Sequence, residues 1–403
     1  MLCSNNHFHD NDGRCVRCDD TNVLQSLAPI IGLGAACVLV VLFFQLQFTA
    51  NFRRRVASWA RQRRERIDWV LISMRLIFFD FQVLSKYSEL QEIDWPEPFD
   101  TFMGWLSIIA FDLSAWFPSL ECAPGNFNSY QSLLLWTVGP IALYTLACFA
   151  AVVRSGGHRP WKAMKKVTEV ALQLLSLVHT LICVRIFQIF DCDKFDNGDD
   201  GDGKLFFLHA DYSINCEAPR HRAFQTFSYG MIVFYAAVVP VAMLANKSRR
   251  HELTSSADVT SASGSSLLEA PFAPAFYWFD TMELMNRLSM TGLLLVVAPN
   301  STKLRMMIST FLALAYLSLV TSTRPYLNES HNQINIVGKL IVVVTVTSGV
   351  FVETHTSHQT LIGSFLLVLN VSIVGVAVQV QRSERLHGLM DRLAAAPPAR
   401  NSL

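Results

Sequence analysis

Apolar runs of roughly twenty residues recur along the chain, at 26–49, 131–153, 167–189, 223–245, 277–298, 304–323, 334–353 and 360–381. A bilayer core about 30 Å thick requires roughly 20 apolar residues in helical form. Hydrocarbon offers no water to backbone polar groups, so a segment this apolar crosses as a helix. A soluble helical bundle would have to hide eight such runs at once. Two further stretches are ambiguous. IDWVLISMRLIFFDFQVLSKY (67–87) is long enough to cross but carries Arg75 and Asp80, and FDTFMGWLSIIAFDLSAWF (99–117) is interrupted by Asp112. One of the two supplies a net crossing; we assign it to 67–87, with 99–117 in the outer interface or re-entrant. The expected fold class is all-α: a polytopic helical membrane bundle of about nine transmembrane helices plus one interfacial or re-entrant helix. It divides into a Cys-rich stub (1–25), the helical domain (26–382) and a tail (383–403).

Composition agrees with this pattern. Of 403 residues, 51 % are hydrophobic and 16 % charged, and the mean hydropathy is +0.31, where soluble domains carry about a quarter charged residues. The net charge of +1 conceals an asymmetry. Seven arginines lie between Arg53 and Arg66; Arg154, Arg159, Lys162, Lys165 and Lys166 follow, then Lys247, Arg249 and Arg250, Arg324, and finally Arg382, Arg385, Arg392 and Arg400. Across the membrane from these sit Arg14, Arg17, Lys194, Lys204, Arg220 and Lys303. Basic residues in short loops mark the cytoplasmic side. The N-terminus is therefore expected outside and the C-terminus in the cytoplasm, with the chain resident in the plasma membrane. Beside a span, the Arg53–Arg66 run reads as a topology signal rather than a nucleic-acid patch, and it suits anionic lipid. MLCSNNHFHD lacks the apolar core of a secretory signal peptide, so the first span is expected to act as the anchor.

Nine cysteines divide by location. Cys37, Cys148 and Cys183 fall inside apolar runs, whereas Cys3, Cys15, Cys18, Cys122, Cys192 and Cys216 all fall on the outer side, an even count that suits an oxidising compartment. Cys192 and Cys216 bracket an aspartate-crowded stretch, DCDKFDNGDDGDGK (191–204). They close it as a disulfide, or Cys122 takes one of the two places. An EF-hand loop needs oxygens at positions 1, 3 and 5, glycine at 6 and glutamate at 12; Phe195 breaks the registers that begin at Asp191 and Asp193. The stretch reads as a hydrated loop. Weak extracellular calcium binding through Asp196, Asp199, Asp200 and Asp202 is the alternative. Asn300-Ser301-Thr302 is an outer glycosylation sequon, while the sequons at Asn328 and Asn370 fall inside and within a span.

FQVLSKYSELQEIDWP, Cys122, FQIFDC, LFFLHADYSINC, FYWFDTMELMNRLSM and TRPYLNESHNQ occur in that order. Together, over roughly residues 15–382, they resemble the transient receptor potential-like transmembrane region of protist and algal surface proteins, which follows ephrin-receptor-like or EGF-like cysteine-rich repeats. The resemblance implies an ion channel or sensory membrane protein. Here the last two spans are joined by ETHTSH (353–358), which leaves no room for a pore helix and selectivity filter. Ions that cross would move between helices of one chain.

Charges inside a bilayer are costly and mark function. Glu283 and Arg287 are spaced to share one helical face and to pair, with Asn286 beside them; Arg75 and Asp80 form a second polar locus, and Arg185 and Lys339 are weaker candidates. Each pair reads either as a structural ion pair or as part of a polar pathway. His355 and His358 lack a third metal ligand nearby. TSSADVTSASGSS (254–266) reads as a flexible, phosphorylatable linker, and Leu386, Leu389, Met390 and Leu393 as one face of an amphipathic tail. No enzyme signature is present: there is no phosphate loop, nucleophile elbow or zincin pair. Beside the channel reading stand a receptor-like or anchoring module and a transporter or lipid-moving protein. A protease site inserted near Gly201 is expected to be cut only from outside; cleavage from the cytosol alone would reverse the threading.

Overall fold

The computed structural model describes residues 7–9, 15–17, 50–91, 93–109, 128–154, 160–196, 204–255, 272–298, 301–354 and 359–394. The run 26–49, Cys3, Cys18, Cys122, Asp199, Asp200, Asp202, Asn300, His355, His358 and linker residues 256–271 lie outside the described residues.

A short hairpin, β1 (His7–His9) with β2 (Cys15–Arg17), stands at the N-terminal end. The helices then follow: α1 (Ala50–Gln91), α2 (Glu97–Ile109), α3 (Ser129–Arg154) and α4 (Pro160–Gln188). Strands β3 (Cys192–Asp196), β4 (Lys204–Leu208) and β5 (Asp211–Asn215) come next. After them run α5 (Pro219–Ile232), a π-helical turn (Val233–Val238), α6 (Val239–Ser255), α7 (Phe279–Met290), α8 (Leu293–Val297), α9 (Thr302–Thr323), α10 (Glu329–Thr354) and α11 (Gln359–Ala394).

Among the described residues, six helices are long and apolar enough to cross a membrane: α3, α4, the α5–α6 rod, α9, α10 and α11. They match six of the eight apolar runs. A seventh run, 277–298, is broken rather than continuous. Thr291 leaves the helical region (φ −110°, ψ −91°), dividing the run into α7 of 12 residues and α8 of 5. Beside the break, Phe187 of α4 packs so closely on Gly292 that a Cβ there would overlap its ring. The stretch 67–87 is helical within α1, whose 42 residues extend about 63 Å at about 1.5 Å each. Its charges turn inward, with Asp80 and Lys86 buried. The first part of 99–117 is helical in α2.

Two apolar cores share the bundle. One joins α3, α4, α5 and the sheet around Leu133, Ile182, Phe187, Leu208 and Tyr235. The other joins α1, α2, α9, α10 and α11 around Leu84, Tyr87, Phe99, Val346 and Leu366. Helix α7 lies between them, contributing Leu284 and Leu288 to the first and Met290 to the second. In the most apolar window of α10, 56 % of residues are buried, against 11 % in α3, so α10 is a central helix and α3 a peripheral one.

Proline explains one irregularity. Pro240 has no N–H, and in a regular helix its ring would press on the carbonyl four residues earlier. The chain widens into the π-turn instead, with the Val239 N–H reaching back to the Phe234 carbonyl. The Tyr235 carbonyl is left for another donor, and buried His179 on α4 donates to it from Nε2 at 2.8 Å.

The segment 190–221 departs from the all-α expectation. It carries a three-stranded antiparallel sheet in the order β3-β4-β5, with Asp193 opposite Phe207 and Phe195 opposite Leu205. Leu208 and Ile214 are buried against the bundle, so this segment is anchored by apolar contact as well as by pairing. A Cys192–Cys216 disulfide ties the beginning of β3 to the residue after β5. Replacing both cysteines by serine is expected to cost about 3 kcal/mol, read as a lower Tm in detergent. Peptide mapping that joined either cysteine to Cys122 would overturn the pairing.

Candidate functional site

Helices α1 and α7 run parallel with their polar residues in one register. Arg75 Nη2 donates to Asp280 Oδ1 at 2.6 Å, and Arg287 Nη1 donates to Gln82 Oε1 at 3.2 Å, both across a separation of 205 residues. Positions 280, 283 and 287 repeat at three and four residues, so α7 offers all of them from one face. That face meets α1 on one side and α10 on the other.

Lys339 of α10 lies at the centre. Its Nζ donates to Asp80 Oδ1 of α1 at 2.5 Å and to Glu283 Oε1 of α7 at 3.2 Å. One ammonium thus serves two carboxylates from two helices, with all three residues at 5 % exposure or less. Close packing is built into α10 beside it: a Cβ at Gly338 would strike the Asp80 carboxylate. The Tyr316 ring of α9 lies 5.5 Å from the same ammonium.

Asp280 is the second junction. Its two oxygens accept from Arg75 and, at 2.6 Å, from Lys247 Nζ of α6. Lys247 also sits 5.2 Å from the Phe272 ring. Arg287, 1 % exposed, lies 3.7 Å over the Phe79 ring, and its Nη2 donates to the Ser176 carbonyl of α4 at 3.2 Å. Gln82 completes that contact by donating to the Leu177 carbonyl at 3.0 Å. Arg75, Lys247, Arg287 and Lys339 therefore share the bundle interior with Asp80, Asp280 and Glu283. Fully ionised, these seven carry a net charge of one positive unit.

The polar loci anticipated around Glu283 and Arg75 are brought together into one cluster, with different partners. Glu283 pairs with Lys339, and Arg287 takes Gln82 and a carbonyl instead of Glu283. Arg75 and Asp80 do not pair with each other, because each has a better-placed opposite charge on a distant helix. Asn286 is half-buried and joins no hydrogen bond of the cluster. Lys339, a weaker candidate by sequence, is the hub. Asp280, Lys247 and Gln82 were missed; the three-residue step from Asp280 to Glu283 and the burial of a glutamine in an apolar helix are the signals that would have found them.

The quoted motifs TRPYLNESHNQ and FQVLSKYSELQEIDWP build the ends of this arrangement. Arg324 caps α9 in the left-handed region (φ 43°). Asn332 then clamps the Tyr326 backbone, accepting from its N–H at 2.9 Å and donating to its carbonyl at 3.0 Å. At the other end, Trp95 Nε1 donates to Ser88 Oγ at 2.7 Å, closing the corner between α1 and α2.

Beside the three-stranded sheet, a cavity of about 220 Å³ is lined by Glu89, Arg185, Gln188, Asp191 and His209. Arg185 holds Gln188, which donates to Glu89. Of the aspartates in the stretch 191–204, Asp193 accepts from Tyr212 at 2.6 Å and from His209 at 2.7 Å. Burial pushes its carboxyl up, but these two hydrogen bonds outweigh it and hold the group below the usual carboxylate range. Asp196 ends β3, its backbone opposite Lys204; Asp199, Asp200 and Asp202 lie outside the described residues, as does Asn300.

No protein-family model matches the chain, and neither does any curated protein or solved structure.

Lys339→Met leaves Asp80 and Glu283 without their shared cation and is expected to destabilise the bundle by about 3–5 kcal/mol. Adding Asp80→Asn and Glu283→Gln should recover much of that loss. Equal melting temperatures for wild type and the single variant would show that the triad does not hold the helices.

Proposed function

We propose that the chain is a transient receptor potential-like ion channel or sensory membrane protein without a pore loop, in which the buried charge cluster is the responsive element. The cluster is the observation that carries this reading. Ionised groups withdrawn into a membrane bundle cost free energy, and a well-packed apolar core of the same volume is often as stable or more so. Charges kept at such depth are a functional signal. The order of the quoted motifs along the chain adds to it, since those motifs contribute Gln82, Asp280, Glu283 and Arg287 to the cluster.

In this reading the chain crosses the plasma membrane nine times, with its N-terminus outside and its C-terminus cytoplasmic. The parallel course of α1 and α7, and the alternation of the helices between them, suit that threading. Only residues 355–358 separate α10 from α11, so an ion path would run between helices of one chain, past Lys339.

A receptor-like or anchoring module is the second reading, favoured by the low exposure of the cluster: Asp80, Glu283, Arg287 and Lys339 are all closed off from solvent. Recordings from vesicles containing the purified full chain separate the two. Current under stretch, voltage or outer calcium is expected, with Glu283→Gln changing its threshold or size severalfold. A folded wild type that stays silent under all three stimuli would sink the channel reading in favour of the receptor-like one.

A further inference from the structure

We propose that the N-terminal end of α9 is an anion site for a phosphate group, with Arg305 as its main side-chain donor. The site stands whether or not the chain conducts ions.

The protein leaves hydrogen bonds unmade at this point. Arg305 lies in the first turn of α9 and is 4 % exposed. Its Nη2 donates to Thr302 Oγ1 at 3.1 Å, but Nε and Nη1 are buried and have no partner among the described residues. A guanidinium stays charged and offers donors only. Withdrawn from water, such a group costs free energy unless something accepts from it. Asp193 of β3 is within electrostatic reach of Arg305, yet its carboxylate is engaged by Tyr212 and His209.

The helix end supplies a second, independent set of donors. The first four N–H groups of a helix find no acceptor within it, and the helix dipole adds partial positive charge there. In α9, the Ser301 side chain accepts from the Leu304 N–H at 3.3 Å, and the Ser301 carbonyl accepts from the Arg305 N–H at 3.0 Å. The N–H groups of Thr302 and Lys303 remain for another acceptor. Helical side chains lean toward the N-terminus, and the bond to Thr302 draws the Arg305 guanidinium that way. Arg305 is thus aimed at the open N–H groups. Lys303, exposed beside them, adds a second cation.

Donors that approach from a side chain and from the backbone call for a ligand with several acceptor oxygens. A phosphate group has them, and both guanidinium and helix N-termini bind it well. Two sources share this chemistry, a phospholipid headgroup and free phosphate. Helix α9 is long and apolar enough to cross a membrane, which sets its end near a bilayer surface. Leu304 and Met307, 48 % and 65 % exposed, offer apolar surface next to the site for an acyl chain.

The purified full chain, stripped of lipid in detergent, tests this by titration with inorganic phosphate and, separately, with dioctanoyl phosphatidic acid. Thermal unfolding and native mass spectrometry give the readouts. At least one of the two ligands should bind saturably and raise Tm, whereas dioctanoylglycerol, which lacks the phosphate, should not. Phosphate alone sufficing identifies a soluble anion, and a requirement for phosphatidic acid identifies a headgroup. Arg305→Met should weaken binding about tenfold or more. Its Tm without ligand should match or exceed that of the wild type, because an unpaired buried charge has been removed. Lys303→Gln, a change at an exposed position, should weaken binding about threefold and decides the matter if Arg305→Met does not fold. No rise in Tm with either phosphate source, an equal rise with dioctanoylglycerol, or undiminished binding by a folded Arg305→Met would overturn the site and leave internal water as the partner of the guanidinium.

Discussion

The packing of three helices turns on one nitrogen atom. Lys339 can satisfy Asp80 and Glu283 together only when α1, α7 and α10 stand at one depth and approach closely, and the glycine at 338 is what permits the approach. The other polar contacts follow from that placement. With α7 set at this height against α1, Asp280 meets Arg75 and Arg287 meets Gln82 at the same sequence offset. Apolar side chains alone tolerate sliding, because one methyl contact resembles the next. Buried charges do not, since a displaced ammonium or carboxylate has no water to fall back on. The cluster thus specifies the axial register of a bundle whose surfaces are otherwise greasy and interchangeable.

How far this could be read in advance depended on whether the cause was local. The spans were legible because the requirement for an internally bonded backbone acts on each apolar run by itself. Six of the runs stand as helices long enough to cross. The break in 277–298 was not legible: its surroundings, with Phe187 of α4 against Gly292, are set by a distant part of the chain. The three-stranded sheet was hidden as well. Its strands are five residues each, and the aspartates between them suggest solvent more strongly than KLFFL and DYSIN suggest pairing. The Cys192–Cys216 bracket around it was visible, since those cysteines flank the segment in sequence.

The charges show the same limit more sharply. Glu283 and Arg287 were expected to pair because they are four residues apart on one helix. Their actual partners lie on other helices, and a hydrogen-bonded ion buried between helices is worth more than a neighbour along one face, about 0.2–0.5 kcal/mol for such a pair. Lys339 stood alone in its apolar run and gave no hint of being shared. A lone lysine in a span is better taken as a request for acids elsewhere in the chain than as a weak signal in itself.

The parallel alignment of α1 with α7 and α10 has a bearing on how the protein is made. Parallel neighbours cannot be joined by one short loop, so none of these contacts can form within a hairpin. Asp80 waits for a lysine 259 residues further along the chain. Until that residue has been synthesised, the Asp80 carboxylate lacks the cation that it meets in the folded bundle. The charged interior can therefore be completed only after α10 has been made.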